Sequence, residues 1–266
     1  MLDAPLVILI HSSKTMHTAA TRQGIALHQP ALQAQADQLA GYLRTLGSDQ
    51  IQKAMHVSPK LAGDTQLLLQ QWTNEPARQT AAIDSFIGDV YSGLRAADLS
   101  PGDREYADRT LWILSGLYGF LRPLDGVFAY RLEMGYRFDE PGYASMYRYW
   151  GSLIADHLPA SGPIINVSSV EYTKVITPFV DANRIIAPVF LTVSQKTGLP
   201  TFVAVHAKIA RGAFARWLIT SRLTDMVRLR EFDDLGYSFD ATASTERAPV
   251  FVCQVFGGLG LSIRLV

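Results

Sequence analysis

Residues 111–136, LWILSGLYGFLRPLDGVFAYRLEMGY, constrain this chain more than any other stretch. The run begins as a buried strand does, with Trp112, Ile113 and Leu114 in succession, and then meets Ser115-Gly116 and Gly119, where strands end. Arg122, Asp125, Arg131 and Glu133 follow among large apolar residues. Charge held at a strand end and in the loop beyond it is how α/β proteins build sites. A plain core segment would carry no such charges, and a plain surface loop would not carry so many aromatics.

The rest of the chain suits that start. Its 266 residues allow one large domain or two small ones, and 48% hydrophobic with 18% charged residues is globular composition. Lys plus Arg and Asp plus Glu are both 24, which argues against a coat of positive charge but not against a local basic cleft. A single cysteine, Cys253, excludes an internal disulfide and a Cys-based metal site, and fits a reducing compartment. Met1 to Ile10 has no basic region of a signal peptide, and no stretch approaches the ~18 apolar residues of a membrane span. A cytoplasmic, monomeric protein that binds no membrane is expected.

Leu6 to Ile10 reads as a buried strand, Pro30 to Leu46 as a helix, Ile51 to Trp72 as two short helices around Ser58-Pro59, and Pro76 to Phe86 as another helix. Ser100-Pro101 opens a helix through Arg109, and Tyr143 to Leu158 reads as an aromatic-rich helix. Pro163 to Val167 is a strand; Arg184 to Leu191 and Thr201 to Ala207 are strands flanking a turn at Gln195-Lys196-Thr197-Gly198; Lys208 to Arg222 is a helix. Gly236 to Asp240 and Pro249 to Val255 are late strands, and the tail, Phe256 to Val266, has no clear period. One compact, single-domain mixed α/β (α+β) unit over residues 1–266, with a mixed sheet flanked by helices, fits best.

Four polar clusters stand out. Ser12-Ser13-Lys14-Thr15 follows the first strand and could hold an anion, or simply cap a helix beside a solvated lysine. Arg122, Asp125, Arg131 and Glu133 could be an anion site or a structural ion-pair net. In Asn166 to Lys174, Ser168 or Ser169 could cap a helix on which Glu171 and Lys174 share a face. Lys208 and Arg211 share the first turn of the next helix, where cations oppose the macrodipole unless something negative sits nearby. The six histidines show no metal spacing, His206 reads as a core residue in a strand, and Cys253 as inert packing. No cofactor motif is present: GGLG at residues 257–260 has no following helix and GxSxG is absent.

Taken together, SSKTM, GDVYSGL, LSGLYGFLRPLD, YRLEMG, YWG, INVSSVEYTKV, PVFL, AKIARG and GYSFD run in one order along nearly the whole chain. In this the chain resembles the YaaA family of bacterial peroxide-stress proteins. The resemblance implies a fold particular to that family with a positively lined polar cleft. It also implies a cytosolic role in surviving hydrogen peroxide by limiting unincorporated iron. DNA binding is implied too, through a helix-hairpin-helix-like element over Ile51 to Trp72 with Ser58 to Gly63 as its hairpin. The chain departs from the family pattern at His11-Ser12-Ser13-Lys14, where members carry Ser-Pro-Ala-Lys, and at Lys208-Ile209, where members carry two lysines.

Three functions are therefore expected to compete. In the first, Lys14, Lys60, Arg122, Arg131, Lys174, Lys208 and Arg211 grip the phosphates of double-stranded DNA without reading its sequence, supported by Ser13, Asp125, Glu133, Asn166 and Ser168. In the second, the same cleft is an enzyme site for a small anionic or nucleotide-like, phosphorylated substrate, with Glu171, Tyr172 and Lys174 as its catalytic groups. In the third, the clusters only stabilise a buried polar seam. No metal or cofactor is expected in any of them.

Overall fold

Leu9 pairs with Trp112 and Ile10 with Ile113 in a parallel ladder, so the two most apolar runs of the sequence lie side by side. The computed structural model that shows this describes residues 5–17, 26–73 and 78–258. The chain forms β1 (Val7–His11), β2 (Thr15–Met16), α1 (Gln33–Arg44), α2 (Ser48–Met55) and α3 (Pro59–Gln70). It continues through β3 (Thr80–Ala81), α4 (Ala82–Ser85), β4 (Phe86–Ile87), α5 (Asp89–Leu94) and α6 (Pro101–Thr110). The middle holds β5 (Leu111–Ser115), β6 (Gly119–Leu121), β7 (Gly126–Val127), α7 (Met146–Trp150), β8 (Ile164–Asn166) and α8 (Val170–Thr173). Last come β9 (Ile185–Ile186), β10 (Val189–Val193), β11 (Pro200–Thr201), α9 (Ala204–Ser221), β12 (Tyr237–Phe239) and β13 (Val250–Cys253).

The fold is mixed α/β with two principal sheets. The first has the order β6-β5-β1-β8-β9, with β6 antiparallel to β5 and the other pairings parallel. Its inner strands are covered on both faces, which is why LVILI and LWILS are continuous rather than alternating. The second sheet has the order β11-β10-β13-β12, with β10 and β13 parallel. α9 lies between them. Phe214 packs edge-on to Phe190 of β10, while the glycine face of α9 meets α5. The buried apolar side chains form one continuous cluster across both sheets. Each large apolar side chain in it contributes about 1.5–3 kcal/mol.

Local signals explain most boundaries. α1 buries Ala36, Leu39, Ala40 and Leu43, the i, i+3, i+4, i+7 face that its sequence spells out. In α6, Ser100 and Asp103 cap each other reciprocally, with Pro101 at the first helical position. α2 ends at His56 in the left-handed conformation, and Ser58 caps α3 by accepting from the Leu61 amide. Gly63 is therefore inside α3 and not in the turn, which is made by residues 56–58. No helix of the described residues is long and apolar enough to cross a membrane.

Four expected elements differ. Arg184 to Leu191, expected as one strand, is split into β9 in the first sheet and β10 in the second. The segment expected as a helix over Pro76 to Phe86 loses residues 76 and 77 to the undescribed part; the remainder is β3, one turn of helix and β4. Thr80 and Ala81 prefer a ladder with Val127 and Gly126, and Phe86 pairs with Met16. The helix expected over Tyr143 to Leu158 stops at Trp150, because Gly151 takes a positive φ of 49°. Thr201 to Ala207 is not a strand: only Pro200 and Thr201 pair with β10, and α9 begins at Ala204, four residues before Lys208. The alternating pattern there reflects a helix N-terminus that is apolar on two sides.

Candidate functional site

β1 and β8 are adjacent and parallel, so both release the chain at the same edge of the sheet. A cleft of about 620 Å³ opens there, bounded by the loop after β1, the start of α5, the start of α8 and Lys208 of α9. Crevices beyond the carboxyl ends of parallel strands are the usual ligand sites of open α/β sheets. Four of the recognised motifs converge on it: SSKTM, GDVYSGL, SSVEYTK and AKIARG.

Glycines set the distances. A Cβ on Gly93 would sit 2.0 Å from the Ile209 carbonyl oxygen, and one on Gly212 would sit 1.8 Å from that of Val90. α5 and α9 thus touch backbone to backbone, which only glycine permits. Gly135 is constrained less severely, by a side chain and not by backbone. Its amide donates to Glu171 Oε1 at 2.8 Å, and a Cβ there would collide with that carboxylate. The glycine of YRLEMG is there to orient Glu171.

His11, the last residue of β1, forms part of the cleft floor. The Ser169 amide donates to its Nδ1 at 3.2 Å, and its ring stacks on Tyr172 with centroids 5.1 Å apart. Burial, reinforced by the positive charges of Arg211 and Lys208, pulls its pKa down to about 3. The imidazole is therefore neutral at physiological pH, and with Nδ1 accepting, its proton is on Nε2. The Tyr91 hydroxyl of α5 donates to the His11 carbonyl at 3.0 Å and holds this strand end in place.

Beneath the floor is a line of buried hydroxyls. Ser12 Oγ donates to Tyr172 at 3.2 Å and also bonds Tyr130, whose hydroxyl is 2.6 Å from Ser115 Oγ. Ser115 Oγ accepts from the Tyr118 amide at 2.9 Å. Burial pushes Tyr130 up to about 12 and Tyr172 well above the usual phenol value, so both keep their protons. The line links the ends of β1 and β5 to the cleft.

The charges are mixed. Lys14 Nζ pairs with Glu133 at 2.9 Å, and that hydrogen bond raises the lysine's pKa, the reverse of what a nucleophilic lysine needs. Arg131 donates to the Lys14 carbonyl at 3.1 Å, so it shapes the loop. Asp89, Glu133 and Glu171 face Lys14 and Lys208, three carboxylates against two ammonium groups. Among the described residues no carboxylate lies within ion-pair distance of Lys208 or Arg211. Burial pushes the Arg211 guanidinium below its usual value. The macrodipole argument for these cations does not hold, because Lys208 is the fifth residue of its helix.

The structure therefore brings together Ser13, Lys14, Glu133, Glu171, Tyr172 and Lys208, with Arg131 and Arg211 beside them. Ser13 is engaged with the Ile87 carbonyl under Gly88. Asn166 Oδ1 accepts from the Ser168 amide at 3.0 Å and shapes the loop after β8, while the buried Ser168 hydroxyl has no partner among the described residues. Lys174 and Lys60 are exposed and do not line the cleft. Arg122 and Asp125 sit elsewhere. β6 runs back along β5, Leu121 pairing with Ile113, and carries them to the opposite end of the sheet. There the Arg122 amide bonds Asp125 at 2.7 Å, its Nε bonds the Asp108 carbonyl, and its guanidinium covers Trp112. That half of the second cluster is a structural lock. Sequence reasoning missed His11, Tyr91 and Tyr130; the cue was available for His11, a polar residue directly ending a buried strand.

His206 is held by Thr192 and stacked on Phe256, as a satisfied histidine should be, but on α9 and not in a strand. Cys253 is buried.

The sequence profile described as peroxide stress protein YaaA matches residues 6–243 of this chain. A curated UPF0246 protein of Salinispora tropica is 52% identical over 97% of the chain and 98% of its own length. Both matches take in β1, β5, β8, α8 and α9, the elements that build the cleft. The chain belongs to the YaaA family of peroxide-stress proteins.

Proposed function

We propose that this protein serves the peroxide-stress response by binding a small phosphate-bearing ligand, of nucleotide size, in the cleft at the ends of β1 and β8. One observation carries the reading. Arg211 is desolvated beside His11, Lys208 is exposed at the same cleft, and neither has a carboxylate partner among the described residues. A desolvated, unpaired cation is costly, and an incoming anion relieves that cost. Glu171 and Glu133 then orient the neighbouring groups, and the carboxylates at the rim disfavour a long polyanion.

A second reading has its own support. α2, the turn at residues 56–58 and α3 form a helical hairpin with Lys60 exposed in the first turn of α3, the type of element that grips duplex phosphates without reading bases. On that reading the protein limits oxidative damage by covering DNA, with any effect on iron indirect.

Labelled 5′-nucleotides and a labelled DNA duplex, titrated at two salt concentrations beside a Lys208→Ala/Arg211→Ala double variant, separate the two. Nucleotide binding lost in the variant supports the first reading. Duplex binding with a steep salt slope that survives in the variant and falls in Lys60→Ala supports the second. Neither binding to the folded wild type would sink both.

A further inference from the structure

We propose that His11 and Tyr172 form a neutral two-donor cradle for one phosphoryl oxygen of the ligand. The inference rests on the phosphate reading above and adds which uncharged groups meet the anion. Its first support is the tautomer of His11. Because a backbone amide can only donate, the Ser169 N–H fixes Nδ1 as the acceptor, leaving Nε2–H as the donor. His11 lines the cleft, and no partner within the protein occupies that nitrogen among the described residues.

Its second support is the direction of the hydroxyl line. The Tyr118 amide donates into Ser115, and Ser12 donates into Tyr172. Run as Ser115 to Tyr130 to Ser12 to Tyr172, each hydroxyl proton has an acceptor in the line except the last. The Tyr172 proton is left for the cleft, and a chain of aligned hydrogen bonds strengthens its terminal donor. The rings of Tyr172 and His11 stack with centroids 5.1 Å apart, and both residues line the same cleft. Neutral donors fixed by the fold stabilise an oxyanion without reorganising. Lys208 and Arg211 of α9 face the same imidazole and supply the charge, while Tyr91 of α5 holds its carbonyl; Glu171, Glu133 and Lys14 complete the surroundings.

The test uses the full chain labelled with ¹⁵N, inorganic phosphate at pH 8 as one probe, and sulfate, which does not titrate between pH 5 and 8, as the other. The His11 ring should stay in the Nε2–H form across that range, and its Nε2 signal should shift on saturation with phosphate. Tyr172→Phe, nearly isosteric, should weaken phosphate binding about three- to ten-fold, the effect of one hydrogen bond. Sulfate affinity should not follow an imidazole titration. Saturable binding that needs Lys208 but leaves the His11 signal and the Tyr172→Phe affinity unchanged overturns the cradle and leaves the functional reading intact. An Nδ1–H tautomer, or sulfate affinity rising with protonation of His11, also overturns it. No saturable binding of either anion overturns the phosphate reading and the cradle together. His11→Gln is a further variant, but the wild-type spectra and Tyr172→Phe decide the matter if it fails to fold.

Discussion

A methyl group on Gly212 would lie 1.8 Å from the Val90 carbonyl oxygen, so α9 and α5 have no room for any other residue at their crossing. Gly212→Ala should force the helices apart and cost about 1–3 kcal/mol, as overpacking does. Gly41, inside α1, is the contrast: nothing lies within 4 Å of an added Cβ. Gly41→Ala should stabilise by up to about 1 kcal/mol through helix propensity. Urea unfolding of both variants checks this, and equal effects in the same direction would contradict it.

Asp125 is buried, and that burial, with a contribution from Asp108, raises its carboxyl to about 7 despite the hydrogen bond from the Arg122 amide. The folded protein then holds a proton that the unfolded chain releases near pH 4. Stability should be highest below that pH and fall as pH rises toward 7, by at most about 1.4 kcal/mol per pH unit from this group. Asn at this position keeps an acceptor for Arg122. The Asp125→Asn protein should show a flatter stability profile from pH 4 to 7. Parallel wild-type and variant profiles would refute this.

Tyr130 is the middle of the buried hydroxyl line, bonded to both Ser115 and Ser12. Tyr130→Phe leaves both neighbours short of a partner and should cost about 1–3 kcal/mol. A Ser12→Ala/Tyr130→Phe cycle should show coupling of about 0.5–3 kcal/mol, whereas strict additivity of the two changes would mean the line is not continuous.

Arg104 makes a two-pronged ion pair with Asp84, at 2.9 and 2.6 Å, and a further bond to the Ala96 carbonyl. Both groups are largely buried, so Arg104→Ala strands a carboxylate and should cost about 3–5 kcal/mol. Asp84→Asn in the same background should restore part of that loss. Thermal unfolding of the single and double variants measures it.

The sheet was legible where apolar runs were short and bounded, as in LVILI and PIINV, and the helices where caps were explicit, as at Ser58-Pro59 and Ser100-Pro101. Gly151 and the apolar start of α9 misled because periodicity cannot distinguish a broken helix from a whole one, or a strand from a helix buried on two sides. At the site, Lys14, Glu133, Glu171, Tyr172 and Lys208 could be named from sequence because charge or hydroxyls after a strand are visible locally. Arg122 and Asp125 could not be separated from them, since only the antiparallel return of β6 sends them to the far end. The position of His11 at a strand end was visible, but its tautomer was not, because that depends on Ser169, 158 positions away.

The order in which the cleft is written along the chain has a consequence for its making. β1 supplies the floor within the first dozen residues, and the unpaired cations arrive with α9, beyond residue 204. A ribosome-bound chain that has emerged only as far as β8 already contains His11, Lys14 and every hydroxyl of the line except that of Tyr172, but neither of the cations without a carboxylate partner, Lys208 and Arg211. On the proposed function, the anion site is complete only once α9 has packed against the cleft that β1 and β8 open.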